Sequence, residues 1–250
     1  MSTETAIVAG ATGNLGGAIT RKLADRGLNV IALARNEEKL AELAAASHRI
    51  TPVIADMAEN SVIETIRTAV DGRPIRMSVQ AVGLPIRPKD AAFDPDSLGR
   101  AVNIKAGGLM RMMDALDGSL HEGSRVVVLG GYHGFEPDPT AIGPGVVNAG
   151  LANLVRILSY GLGEKGISIH MLSPGPVDTT RIRKLADDAS RMRGIPAEEI
   201  LEEWRNESTL AQLITTDQVA WAVALLLDPE AVALHGSVIH MDGGRRKGIV

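Results

Sequence analysis

The sequence predicts an α/β fold, a doubly wound parallel sheet of about seven strands with helices on both faces, in a single domain. Three observations predict it. Short apolar runs alternate with longer runs of helical period, the signature of βαβ units. The first apolar run leads straight into a glycine cluster that opens a helical segment. No Pro/Gly/Ser linker and no internal repeat divides the 250 residues, a length that α/β folds reach as one unit.

The elements follow in order. A strand at 6–9 precedes a helix at 14–25. The next strand is 29–34, then a helix at 37–46, with Asn36 as N-cap and Glu37 and Glu38 suited to its first turn. A strand at 51–55, a helix at 61–70 and a less regular strand at 75–82 come next. One long helix is expected over 98–116, packing through Leu98, Val102, Leu109, Met112, Met113 and Leu116. The β-branched strand 125–129 leads to a helix at 146–162 and a strand at 167–172. Thr215-Thr216-Asp217-Gln218 forms a capping-box start for a helix ending near Leu227, and a last strand covers 237–241. The segment 179–211 breaks the pattern. It is charged and helix-prone, with Arg181, Arg183, Arg191, Arg193 and Arg205. Ligands of open α/β sheets bind beyond the carboxyl ends of the strands, and this segment follows such an end, so it is expected to cover a substrate.

Composition excludes several classes. The net charge of −4 gives no reason to expect nucleic acid or an anionic membrane as partner. With no cysteine there is no disulfide, no Cys-ligated metal and no Cys nucleophile. The six histidines have no metal spacing, so no metal is expected. No apolar run reaches membrane-spanning length, and no signal-peptide pattern opens the sequence; a cytoplasmic protein is the expectation. Aromatic residues make up only 2%, so the core is aliphatic and rich in Ala and Gly.

The glycine cluster is the strongest chemical signal. Gly10, Gly13 and Gly16, with Thr12, Asn14 and Leu15 between and after them, lie between a strand and a helix. There they permit a tight turn and leave backbone N–H groups and the helix dipole directed at a pyrophosphate. A site for a nicotinamide dinucleotide is the expectation, the alternative being a structural strand-to-helix turn with no ligand. The second strand separates the two common forms. An NAD site usually carries Asp or Glu there, bonded to the ribose hydroxyls. Residues 28–35 contain no acid and end in Ala34-Arg35. A guanidinium at Arg35 can pair with a 2′-phosphate, so NADP(H) is favoured over NAD(H); the competing reading pairs Arg35 with a surface carboxylate such as Glu38. Asp56-Met57, after the third strand, is set to meet the adenine edge.

Over essentially its whole length the sequence resembles the short-chain dehydrogenase/reductase family, whose fold is of Rossmann type. The landmarks that carry the resemblance are Gly10–Gly16, Arg35, Asp56, Ala81-Val82-Gly83, Asn103, Pro174-Gly175-Pro176-Val177-Asp178-Thr179, and Met241-Asp242-Gly243-Gly244. The middle glycine falls at the third step of its motif, as in atypical branches. The resemblance implies that Val177 contacts the carboxamide, that Thr179 lies near the phosphates, and that Asn103 is the active-site asparagine. It also implies pairing of the two long helices across a two-fold axis, giving a homo-oligomer, dimer or tetramer.

The family's chemistry uses a Ser, a Tyr and a Lys. Read without gaps, those positions hold Gly131, Pro144 and Asn148. Asn148 can bond a ribose hydroxyl but carries no charge to lower a phenol pKa. Tyr132 and His133 follow the Ser position and are the candidate proton donors, the alternative being a packed Tyr132 and a solvated His133. Lys105 is expected on a different face from Asn103, at the surface, and Tyr160 in the core or an interface. One reading is then an NADP(H)-dependent oxidoreductase acting on a carbonyl, imine or activated alkene of a small-molecule substrate through a non-standard proton donor. A second is a catalytically inactive dinucleotide-binding sensor or assembly partner. A third is a non-redox lyase or isomerase using the same pocket.

Overall fold

The computed structural model describes residues 4–84 and 94–248; residues 1–3, 85–93 and 249–250 of the expected domain lie outside the described residues. Among the described residues, seven parallel strands form one sheet: β1 (Thr5–Ala9), β2 (Asn29–Ala34), β3 (Ile50–Ile54), β4 (Ile75–Gln80), β5 (Leu120–Leu129), β6 (Ser168–Pro174) and β7 (Val238–Met241). Their order is β3-β2-β1-β4-β5-β6-β7. The order reverses between β1 and β4, which opens a crevice at the carboxyl ends of those two strands.

Helices cover both faces. One face carries α1 (Asn14–Asp25), α2 (Glu37–Ala45) and α9 (Thr216–Leu225) over a core that includes Ile19, Leu23, Leu40, Val219 and Val223. The other carries α3 (Val62–Val70), α4 (Pro95–Val102), α5 (Gly108–Ala115) and α6 (Ile142–Glu164). The aliphatic core expected from composition is present: β1 is buried at all positions, and Ile7, Ile31, Leu33, Met77, Leu109 and Met112 are among the largest buried side chains. Local signals hold where the sequence carried them. The Asn36 side chain accepts from the Lys39 amide at 2.8 Å, and Thr215 and Gln218 form both bonds of a capping box.

The structure corrects the long helix. In place of one helix over 98–116 there are two, joined by a π-helical turn at Asn103–Gly107. The glycine pair Gly107-Gly108 permits the widening. A Cβ on Gly107 would lie 3.0 Å from Asn103 Oδ1, and one on Gly108 would lie 3.0 Å from Gln80 Nε2. Gln80 fixes the turn by donating to the Lys105 carbonyl at 3.2 Å. β5 also begins earlier than expected, at Leu120. The extra residues sit in a register shift against β4, where Ser124 Oγ donates to the Ile75 carbonyl at 2.7 Å. The segment 179–211 contains α7 (Thr180–Arg193) and α8 (Ala197–Asn206), packed on each other around Ala186, Ile200 and Leu201. No helix among the described residues is long and apolar enough to cross a membrane.

Candidate active site

The glycine turn is built as the dinucleotide motif requires. Gly10 has φ of +80°, and a Cβ there would lie 2.8 Å from the Ala81 carbonyl oxygen. A Cβ on Gly16 would overlap the Gly10 carbonyl, so helix and turn touch backbone to backbone. The amides of Gly10 and Ala11 both donate to the Leu33 carbonyl, at 2.9 and 3.0 Å. Helix α1 begins after Gly13 with no side-chain cap and no acid in its first turn. An uncapped N-terminus with a positive dipole end is a fitting partner for a pyrophosphate. Thr12, Arg35 and Asn36 line a cleft of about 410 Å³ beside it. The residues present thus fit a dinucleotide.

Arg35 does stand beside a carboxylate, as the competing reading has it, but the carboxylate is Asp56, at 3.7 Å, and not Glu38. The Arg35 side chain is 76% exposed, so the guanidinium stays available to a ligand. Asp56 also accepts from the Ala58 amide at 3.0 Å. The Met57 side chain is buried in the core, which leaves only its backbone to face an adenine. At the end of β4, Ala81, Val82 and Gly83 run past the glycine turn; the Ala81 amide donates to Ala9 and the Val82 amide to Gln80 Oε1. After β6, the Gly175 amide donates to Met241, Val177 is buried and bridged to Ile214, and Thr179 caps α7. The Thr179 hydroxyl donates to the Val177 carbonyl and accepts from the Ile182 amide, so its bonding capacity is largely used inside the protein.

Asn103 and Lys105 do point to different faces, but the interior face belongs to Lys105. The Asn103 side chain donates to the Ala58 carbonyl at 3.0 Å and accepts from Arg111 at 2.7 Å, on the α3–α5 side. Lys105 is 6% exposed. Its Nζ donates to the Leu129 carbonyl at 2.7 Å and to Asn148 Oδ1 at 3.4 Å. Burial, with Arg181 as the second cause, pushes this ammonium down to about 8. The expected surface role for Lys105 is therefore wrong. Half of a helical turn separates it from Asn103, and the body of the sheet lies on the Lys105 side.

The turn after β5, Tyr132–Gly134, folds onto the start of α6. A Cβ on Gly131 would lie 2.9 Å from Asn148 Nδ2, and one on Gly134 would lie 2.9 Å from Asn148 Cβ. Pro144 sits in the first turn of α6, where its missing N–H is tolerated. The Tyr132 ring packs on His133, centroids 4.2 Å apart, and under the Arg245 guanidinium at 5.1 Å. Arg245 in turn donates to the Trp204 carbonyl of α8 at 2.9 Å. His133 Nδ1 is buried with no partner among the described residues, and burial pushes its pKa down, so the ring is neutral at neutral pH. Tyr160, expected in core or interface, is 66% exposed and therefore not in the core.

Helix α7 reaches the crevice at two points: Asn14 Nδ2 donates to the Thr180 hydroxyl at 3.2 Å, and Arg181 donates to the Leu84 carbonyl at 2.6 Å. Beyond α8, Ser208 donates to the Gly243 carbonyl, after β7, at 2.8 Å. Among the described residues no group of three His, Asp or Glu is placed to hold a metal. Sequence reasoning gives three residues other roles or none: it does not single out Gln80, places Lys105 at the surface, and reads Arg181 only as part of the charged segment. The Gly107-Gly108 doublet was the available signal for the first two, since it lets the helix widen and turn Lys105 inward.

Comparison with known proteins fits this geometry. The sequence model of the family described as enoyl-(acyl carrier protein) reductase matches residues 10–246. The chain belongs to the short-chain dehydrogenase/reductase family of oxidoreductases. It is 26% identical to a D-beta-hydroxybutyrate dehydrogenase of Rhizobium meliloti, over 97% of this chain and 98% of that protein. It is 25% identical to the NADPH-dependent reductase BacG of Bacillus subtilis, over the full length of both. The crystal structure of L-sorbose reductase from Gluconobacter frateurii, complexed with NADPH and L-sorbose, superposes with a TM-score of 0.90 at 17% identity, covering 100% of this chain and 98% of that one.

Proposed function

We propose that the chain is an NADP(H)-dependent oxidoreductase that acts on a carbonyl, imine or activated alkene of a small-molecule substrate. The observation that carries this reading is the cleft in which Arg35 stands exposed beside Thr12 and the uncapped start of α1, with no acid on 28–35. Arg35 would meet the 2′-phosphate, the α1 amides the pyrophosphate, and the backbone of Ala81–Gly83 the ring-bearing half of the cofactor. The bound dinucleotide supplies the hydride. Asn148 and the 131–134 turn wall the reacting end, and α7–α8 cover it and exclude water. BacG, which is named as NADPH-dependent, is a relative over its full length.

Cofactor oxidation measured against a panel of ketones, imines and enones tests this. Turnover of a panel member with NADPH is expected. NADPH binding without turnover of any member would favour the second reading, a binding protein without hydride chemistry, which rests on Gly131, Pro144 and Asn148 at the positions the family gives to Ser, Tyr and Lys. We further propose a homo-oligomer, because Val146, Ile157 and Tyr160 expose apolar surface along α6. Sedimentation as a monomer would overturn that.

A further inference from the structure

We propose that Lys105 is the ligand-binding cation of this site, donating its remaining N–H to an oxygen at the reacting end of the bound dinucleotide and supplying the proton that the reduced oxygen takes up. The inference rests on the NADP(H)-dependent reading above.

Four observations carry it. First, an ammonium has three donors, and the structure uses two, on the Leu129 carbonyl and Asn148 Oδ1. Second, both acceptors belong to the site: Leu129 ends β5, directly before the glycine-rich turn, and Asn148 touches that turn at Gly131 and Gly134. Third, the ammonium is buried without a carboxylate partner among the described residues. A buried cation with no counter-charge is costly to keep, and its cost falls when a strongly accepting oxygen arrives. Fourth, the lysine is held rather than loose: Gln80 fixes its carbonyl, and the π-helical turn that carries it is closed by Gly107 and Gly108. A chain that only needed to fill space here had apolar residues to do so.

Among the described residues the charges around Lys105 are few. Arg181, on the α7 side, acts on it and lowers its proton affinity. Asn148 from α6, the Leu129 carbonyl from β5 and Gln80 from β4 are uncharged. Arg111 from α5 is turned towards Met57, Asn60 and Asn103. His133, on the neighbouring turn, is kept neutral by burial. With a pKa near 8, Lys105 is charged at neutral pH yet releases a proton readily, the property a general acid requires. In the step itself the substrate carbon would gain the hydride that the reduced dinucleotide supplies, leaving the dinucleotide oxidised; the C=O π pair would become the oxygen's lone pair, and that oxygen would take a proton from Nζ. Lys105 would be left neutral and be reprotonated from solvent.

The test is NADPH binding by calorimetry, at about pH 7 and about pH 9.5, on either side of the lysine's titration. The wild-type chain is expected to bind more weakly at the higher pH. Lys105→Met is expected to bind about tenfold more weakly at the lower pH, the value of one charge-assisted bond, and to lose most of the pH dependence. The double variant Lys105→Met/Asn148→Lys returns an ammonium from α6 and is expected to recover both. In 15N-lysine-labelled wild-type protein, the Lys105 signal is expected to titrate near 8 and to move to higher pH when NADPH is added. This arm needs no variant to fold. A Lys105 signal indifferent to saturating NADPH, or Lys105→Met with wild-type affinity and pH profile, would overturn the assignment while leaving the NADP(H) reading intact. Failure of the wild-type chain to bind either dinucleotide would overturn both.

Discussion

The Lys105 ammonium lies 3.4 Å from Asn148 Oδ1, joining the π-helical turn to α6 at the point where the glycine-rich turn crosses it. Tyr132 stands elsewhere: its ring lies under Arg245, which is tied to α8, and no hydrogen bond engages its hydroxyl among the described residues. The two groups therefore separate kinetically. Tyr132→Phe should change kcat by less than about threefold, whereas Lys105→Met should lower it by about a hundredfold, the range for a lost acid–base group. Steady-state rates on any substrate found by the panel decide it. A large loss for Tyr132→Phe with little loss for Lys105→Met would return the proton to Tyr132.

Arg35 and Asp56 are 3.7 Å apart, a loose pair in which the guanidinium is not fully committed. Exposed pairs of this kind contribute little to stability. Arg35→Ala should therefore leave the melting temperature nearly unchanged. It should weaken NADPH binding by about tenfold to a hundredfold, through loss of a charge-assisted contact to phosphate, and leave NADH binding nearly unaltered. Calorimetry with both dinucleotides checks this; an equal loss for both would remove the phosphate role.

Gly16 is constrained by the Gly10 carbonyl, which a Cβ would overlap. The obstacle is backbone, so it cannot swing aside as a side chain would. Gly16→Ala should destabilise the protein by at least about 1–3 kcal/mol and abolish dinucleotide binding. Gly13→Ala meets the same oxygen only at 3.3 Å and should be milder. Thermal melts of the two variants make the comparison, and equal melts would contradict it.

His170 is fully buried in β6, with Nδ1 bonded to the Leu234 carbonyl at 3.0 Å and Nε2 without a partner. Burial first, then Arg125 and His235, hold its pKa down at about 4. Between about 4 and 6.5 the unfolded chain binds a proton that the folded chain does not. Stability from this group is thus present above about 6.5 and is lost as pH falls towards 4. The loss should be on the order of 3 kcal/mol. His170→Asn keeps a donor for Leu234 and does not titrate. Denaturation of both proteins across this range should show the wild type losing more; parallel curves would contradict the assignment.

Much of the fold was legible because its signals are local. The β1–α1 junction is written in Gly10, Gly13 and Gly16, the α2 cap in Asn36, and the α9 cap in Thr215 and Gln218. The glycine turn was legible for the same reason, since it is made of backbone at a strand end. The reacting half was not. A helical period assigns Lys105 a face relative to Asn103, but which face meets the sheet depends on how the π-helical turn seats against β5 and α6. Likewise Arg181 reaches Leu84 across 97 residues of sequence, a contact that no spacing encodes.

The most direct measurement is titration of the wild-type chain with NADPH and with NADH under the same conditions. Binding of NADPH at least about tenfold tighter than NADH is the expected result. Equal affinities, or tighter binding of NADH, would contradict the role given to Arg35 and with it the account of the site.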